Sequence, residues 1–552
     1  MSTSAPHLLV VPVVLPLVTA AVLALLGERR PRARALVNVC ATIVGLVVAG
    51  QVLRRVDAGG AASIGVYLAG NWEAPFGIVL VADRLAALML VLVGVVSVCA
   101  AVYAEARWAR VSSYLHPLFQ IQLMGLNGAF LTGDLFNLFV FFEVMLAASY
   151  GLHLHGSGWP RVSSGLHYIA VNLLASSLFL VGLAMIYGVM GTLSMADIAA
   201  KFAAIPPGDR GLLNAGAAIL AVAFLVKAAI WPLNGWLVPA YSAASAPVAA
   251  IFALMTKVGI YVLIRLWTLL FSSGSPSADF AAVGGAVLFY GGLVTIAFGA
   301  VGVLSTMRLG RLAGFSVIVS SGTLLAALGM GEASVTGAAL FYLLSATLSA
   351  SALFLLIELV KRFRTSGKAV RADLDVDAEP DEDTNLDDEQ APLVGRTLPL
   401  SIAALGLAFM CCTLLVAGLP PLSGFIAKVA LLRSALGAGE SAPASPPAGW
   451  WLLGLLLFSG LTAAVSLSRA GVRQFWTAGG RPGTRVELVE AVPVLALLSC
   501  CALLTVFAEP VLRYTAATAA GLHAPRDYIH AVMSTSPRPG PARPDVQREA
   551  TP

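Results

Sequence analysis

The sequence predicts an all-α polytopic membrane protein of about 14 transmembrane helices, with two inverted five-helix repeats that each contain one broken helix. Three observations lead there. Of 552 residues, 58% are hydrophobic and only 11% are charged, with a mean hydropathy of +0.87, whereas a soluble chain carries about 25% charged residues. The apolar residues fall in long runs that lack the strict alternation of barrel strands. Two of those runs are interrupted by prolines at corresponding places.

A crossing needs roughly 20 apolar residues. Windows of that kind lie near 8–26, 35–53, 83–103, 115–132, 134–152, 166–188, 212–241, 246–268, 283–304, 311–329, 336–359, 398–436, 450–468 and 489–512. The first has no basic segment before it and Glu28-Arg29-Arg30 after it, which predicts a retained span rather than a cleaved signal peptide. Three helices occupy 1–110. A first five-helix repeat covers 111–270 and a second covers 271–470, with helix fourteen in 471–512. Ten of the 29 acidic residues crowd between Asp373 and Glu389. They mark a cytoplasmic insert at 365–399, either a solvated linker or a docking or cation-concentrating segment. The tail 513–552 is expected to be disordered.

Orientation follows from the basic residues, which concentrate in cytoplasmic loops. With the N-terminus outside, nineteen Lys and Arg fall in inside loops. Only Arg54, Arg55, Arg84, Lys201 and Arg210 fall outside before the tail. The tail adds five arginines against the rule, but residues past the last span weigh less.

Span seven reads FLVKAAIWPLNGWLVPAYSAASAP, with Pro232 and Pro239 inside it. Span twelve reads AGLPPLSGFIAKVALL, with Pro420, Pro421 and Gly424. Proline removes an amide donor and clashes with the preceding turn, and freed carbonyls inside a bilayer need protein or water partners. Each break is in the fourth span of its block. The offset of five spans is odd, so the blocks run in opposite directions. Inverted repeats with discontinuous helices point to ion sites near the midplane.

The chain has six lysines, and three lie in apolar runs: Lys227, Lys257 and Lys428. Glu143 lies eight residues into its span, roughly 12 Å deep at about 1.5 Å per residue. A charge at the bilayer centre costs roughly 2.5–3.5 kcal/mol on insertion scales, so such groups persist by facing one another or water. Lysine suits proton transfer because burial brings its proton affinity toward the working range, unlike arginine. The four residues therefore form a candidate proton-carrying axis across the protein; the alternative is a static buried pair that fixes helix packing. His116 and His167 are candidate relays at span ends. Asp83, Asp134, His153 and His155 are read as interfacial anchors or loop hydrogen-bonding groups.

The remaining composition narrows the function classes. A net charge of +5 gives no case for nucleic acid. The six cysteines all sit in apolar stretches without a C-x-x-C, which argues against disulfides and iron–sulfur clusters. No glycine fingerprint follows a strand, so no nucleotide, metal or other cofactor site is expected.

The stretches GNWEAPFGIVLVADRLAALM, FLTGDLFNLFVFFEVMLAASYGLHLHG, FLVKAAIWPLNGWLVPAYSAASAPVAA and GLPPLSGFIAKVALL resemble the antiporter-like subunits shared by respiratory complex I and the multisubunit, Mrp-type sodium/proton antiporters. The phrase around Glu143 is most similar to the D subunit of the latter. The resemblance implies a fourteen-helix core with broken helices seven and twelve. Glu143 resembles the glutamate paired with the helix-seven lysine, Lys227 that lysine, Lys257 the central helix-eight carrier and Lys428 the terminal helix-twelve group. Many relatives carry a histidine in helix eleven, where this chain has Ser345; some carry a lysine, where it has Ala350. Water held by Ser345, Thr347, Ser349 and Ser351 is the expected substitute.

The resemblance implies a proton-translocating component, not an enzyme, in a hetero-oligomeric antiporter of the bacterial inner membrane, exchanging protons for sodium or a similar cation. A pumping subunit of complex I or of a membrane-bound hydrogenase is the alternative.

Overall fold

The structure, a computed structural model, describes residues 6–27, 30–59, 64–107, 114–156, 158–270, 278–368, 400–437, 447–475 and 487–537. Most of the acidic insert (369–399) and the end of the tail (538–552) lie outside these residues. The described chain is almost wholly helical, because an apolar segment in lipid can satisfy its backbone only within itself.

Helices α1 (Val11–Leu25), α2 (Pro31–Ala58) and α3 (Arg84–Ala106) form the first group. Then come α4 (Leu115–Leu131), α5 (Leu135–His153), α6 (Trp159–Met190) and the short α7 (Met195–Lys201). The seventh span is split into α8 (Pro207–Lys227) and α9 (Leu237–Ala243), and α10 (Ala246–Leu270) follows. The second half contains α11 (Ala278–Ser305), α12 (Leu309–Gly329) and α13 (Ala333–Lys368). Its split span is α14 (Leu400–Ala417) plus α15 (Ser423–Ala435), followed by α16 (Pro447–Phe475) and α17 (Leu488–Val506). Eleven described helices are long and apolar enough to cross a membrane. Two shorter apolar helices are α1 and the Ser401–Ala417 part of α14.

Two helices start at a side-chain cap. Asp83 accepts from the Ala86 amide (2.9 Å) at the head of α3, and Asp134 from the Asn137 amide (2.9 Å) at the head of α5. Both are loop-capping groups, as expected. The centre of the bundle is α10. All of its most apolar window is buried, against 28% for α2 and for α17. Peripheral helices show apolar faces outward, including Leu174 on α6, Val301 on α11 and Leu461 on α16.

Two features outside the spans were not expected. Strands β1 (Gly65–Leu68) and β2 (Val79–Ala82) pair antiparallel, Gly65 opposite Ala82 and Leu68 opposite Val79. The Val79 carbonyl also accepts from the Gly133 amide at 2.9 Å, which ties the hairpin to the α4–α5 turn.

The expected disorder of the tail is corrected for residues 513–537. Helices α18 (Ala508–His523) and α19 (Arg526–Met533) pack onto the bundle. Thr515, Thr518, Ala519 and Leu522 fall at helical spacing and are buried, with Tyr528 and Val532 beyond them. The Tyr514 hydroxyl donates to the Arg84 carbonyl (3.0 Å), and Thr336 bonds His523 (3.1 Å). Burial of one narrow face orders this segment although its arginines make it look polar throughout.

Candidate functional site

Both expected breaks are present, and each leaves backbone groups to be satisfied. At the first, α8 ends at Lys227 and Ala229 takes a left-handed conformation (φ 58°). The Ile230 amide reaches back to the Leu225 carbonyl (3.1 Å), and the Trp231 amide donates to Thr295 Oγ1 of α11 (2.9 Å). The Trp236 indole covers the Val226 carbonyl (3.2 Å). Pro232 lies inside this irregular stretch, while Pro239 sits in the first turn of α9, where a missing amide costs nothing. Helix α10 comes closest at Gly259, where a Cβ would stand 2.9 Å from the Ala228 amide nitrogen.

At the second break, Gly418 closes α14 with φ 73°, and the amides of Gly418 and Leu419 both bond the Leu414 carbonyl (2.9 Å). Pro420 and Pro421 follow, and Gly424 lies in the first turn of α15. Lys428, on the next turn, folds back so that Nζ donates to the Ala417 carbonyl (2.8 Å). A Cβ on Gly418 would meet the lysine stem at 2.5 Å. Glycine there supplies both the positive φ and the room for Lys428.

The four predicted charged residues fall in two groups: Glu143 and Lys227 at the first break, and Lys257 and Lys428, which share a cavity through Ser320. Lys227, 6% exposed, donates from Nζ to Asn172 Oδ1 of α6 (3.1 Å). Glu143 on α5 is the carboxylate that acts electrostatically on it. No direct ion pair joins Glu143 to a base among the described residues, and its Oε1 is buried without a hydrogen bond. Lys257 is 2% exposed, and its Nζ donates to Ser320 Oγ of α12 (2.7 Å).

Ser320 in turn lines a cavity of about 40 Å³ shared with Tyr342, Ser345, Ser349 and Lys428. A water requires roughly 10–15 Å³ measured this way, so the space has room for a few waters, with Ser320, Ser345, Ser349 and Lys428 as polar partners in a mostly apolar lining. Ser345 Oγ is 2.8 Å from Ser423 Oγ, at the mouth of the second break. Thr347 and Ser351 bond backbone carbonyls instead, at 2.6 and 2.9 Å. Ser349 also donates to a backbone carbonyl, that of Ala346 (3.1 Å), but it lines the cavity with Ser345 and Ser320, which Thr347 and Ser351 do not.

The two histidine candidates stand apart from both groups. His116 is buried on α4 with Nδ1 3.6 Å from Glu105 Oε1. His167 is exposed on the outer face of α6, while its neighbour Tyr168 faces inward. The sequence reading also missed Asn172, Ser320 and Arg265. Each is a lone or paired polar residue in an apolar run, which was the available signal. Arg265 makes a two-pronged ion pair with Asp83 (2.5 and 2.7 Å), two turns along α10 from Lys257. Among the described residues no group of three or more His, Cys, Asp or Glu side chains comes together, and the cysteines are free thiols.

Two opposed broken helices, with buried lysines beside each break and between them, define a polytopic membrane protein of the antiporter-like class. The chain belongs to the family described as NADH:quinone oxidoreductase/Mrp antiporter, whose profile matches residues 132–443. It is 51% identical over 539 residues to a probable K(+)/H(+) antiporter D subunit of Rhizobium meliloti (strain 1021), covering 97% of this chain and 98% of that one. It is 32% identical to the Na(+)/H(+) antiporter D subunit of Alkalihalophilus pseudofirmus, covering 96% and 99%. Among solved structures, the Mrp complex from Dietzia sp. DQ12-45-1b contains a chain of 27% identity and TM-score 0.80, with 96% of this chain and all of that one covered.

Proposed function

We propose that this chain is the proton-translocating D subunit of a multisubunit monovalent cation/proton antiporter, exchanging protons for sodium or potassium. Its place is a bacterial cytoplasmic membrane, with the N-terminus outside and other antiporter subunits against its exposed apolar faces. The whole-length likeness to chains named as antiporter subunits supports this over the redox-pump alternative. The excess of Lys and Arg in alternate loops supports the orientation.

The single observation that supports the mechanism is that Lys257 bonds Ser320, which lines the same cavity as Lys428; Glu143 and Lys227 at the first break complete the proposed series. Protons pass along it by alternating charge pairing. Lys227 holds its proton while Glu143 is near and ionised, and releases it toward Lys257 when that field weakens. Between Lys257 and Lys428 the transfer runs through Ser320, cavity water and the Ser345–Ser423 hydroxyls, which both donate and accept.

The test is transport by the assembled complex in everted vesicles from an antiporter-deficient host, following dissipation of a pH gradient when sodium or potassium is added. Lys227→Ala and Glu143→Ala should each abolish it. Wild-type rates in both would reject the charge-axis mechanism.

A further inference from the structure

The axis needs protons from one side of the membrane, and the structure contains a polar seam suited to deliver them. Three buried side-chain atoms on α5 make no hydrogen bond among the described residues: Glu143 Oε1, Tyr150 Oη and His153 Nδ1. At 3.6 residues per turn, Glu143 and Tyr150 lie within about 20° of each other around the helix, and His153 about 60° further round. At about 1.5 Å per residue they span roughly 15 Å along it.

The facing side of α6 carries polar groups on successive turns: Ser164, Tyr168 and Asn172. Each meets the seam or its end. His153 Nε2 is 3.2 Å from Ser164 Oγ, Ser149 Oγ is 2.8 Å from the Tyr168 hydroxyl, and Asn172 Oδ1 accepts from Lys227 Nζ at 3.1 Å. The Tyr150 and Tyr168 rings meet edge to face at 5.5 Å, and His153 lies 5.9 Å from Tyr168, centroid to centroid. Those rings are packed in contact, so the room for water is at their polar edges; buried polar atoms without protein partners mark where such water binds. Gly165 leaves a notch for the imidazole: a Cβ there would meet His153 Cδ2 at 2.9 Å.

We propose that the α5–α6 seam holds a column of bound water that conducts protons to Glu143 and Lys227, with His153 as its outermost proton-carrying side chain. This rests on the proposed proton axis and on the orientation that makes the His153 end cytoplasmic. His153 passes a proton on one ring nitrogen while taking one on the other; Tyr150, Tyr168 and Ser149 relay it by hydroxyl exchange. No group is consumed. The seam gives His153, 1% exposed, a role that neither His116 nor His167 is placed to fill.

The test uses the whole complex in everted vesicles, whose cytoplasmic face meets the medium. His153→Ala should slow cation-driven proton movement roughly tenfold or more, in the range of a lost proton-transfer group, with copurification of the other subunits unchanged. Added imidazole should restore much of the rate, whereas pyrazole, of the same size but a far weaker base, should not. His153→Gln, which fills the space without a titratable nitrogen, should behave like His153→Ala; it serves as the readout if the alanine variant does not assemble. His167→Ala should transport normally.

A wild-type rate in assembled His153→Ala or His153→Gln would overturn the column. So would rescue by pyrazole equal to that by imidazole, or none by either, since both outcomes make His153 a packing residue. An inactive Lys227→Ala beside a normal His153→Ala removes only the column, whereas a normal Lys227→Ala removes the axis itself.

Discussion

The two broken helices solve one problem in different ways. At the first, Lys227 precedes the break and is held by side chains, Asn172 directly and Glu143 through space. The loose backbone is looked after by Thr295 and Trp236. At the second, Lys428 follows the break and is itself the group that satisfies a freed carbonyl, that of Ala417. It has a cavity beside it rather than a carboxylate. The first break thus sets its lysine near a carboxylate, the second against a backbone carbonyl and a cavity.

The strongest response should come from the lysines themselves. Lys227→Ala and Lys257→Ala should each lower antiport about a hundredfold or more. Lys428→Ala should do the same while also leaving the Ala417 carbonyl unpaired, at about 1–3 kcal/mol of stability. Equal thermal stability of Lys428→Ala and wild type, measured on the purified complex, would remove the second role.

Next is Gly418→Ala. It forces a Cβ into a positive-φ position and onto the Lys428 stem, costing about 1–3 kcal/mol and shifting the lysine. Transport should fall sharply, whereas Gly454→Ala, with open space around it, should leave transport unchanged. Ser345→Leu should fill the cavity and slow antiport without loss of folding. Normal antiport with a filled cavity would show that protons reach Lys428 another way.

A weaker response is expected from Thr295→Val, which leaves the Trp231 amide without its acceptor. The cost is about 1–3 kcal/mol, read as a lower melting temperature, with antiport reduced less than by any lysine variant.

The mildest change lies outside the axis, at Asp83 before α3. Burial raises its carboxyl pKa, but the charge and hydrogen bonds of Arg265 and the Ala86 amide outweigh this and hold it below the ordinary 3.8. The folded state therefore favours the ionised form, and this contribution is complete above about pH 4 and lost as pH falls further. Melting temperature should be insensitive to this pair from neutral pH down to about 4 and should drop below that. Asp83→Asn should start lower and lose part of that acid dependence.

Much of this was legible in the sequence because a bilayer imposes simple rules. Apolar runs gave the spans, prolines gave the breaks, and lysines in apolar runs gave the axis. Asn172 and Ser320 were less visible, since a single amide or hydroxyl in a transmembrane run is common and reveals its partner only when another helix is packed against it. Arg265 was hidden for a related reason: near a helix end an arginine reads as a snorkelling anchor, and only the return of the chain from Asp83 makes it a buried ion pair. The hairpin and α18–α19 lie beyond the spans, where hydropathy is mute and order depends on which surface is available to cover.

The fold class, the positions of both breaks and the identity of the four charged residues follow from the order of amino acids, because burying charge or proline in lipid is costly enough to be informative without coordinates. Helix packing alone selects which polar neighbour each lysine meets, turns Ser345 toward a cavity, and points His153 rather than His167 inward. Those outcomes depend on helix rotation and on contacts between residues far apart in the chain, which hydrophobic periodicity does not encode when a helix is apolar on every side.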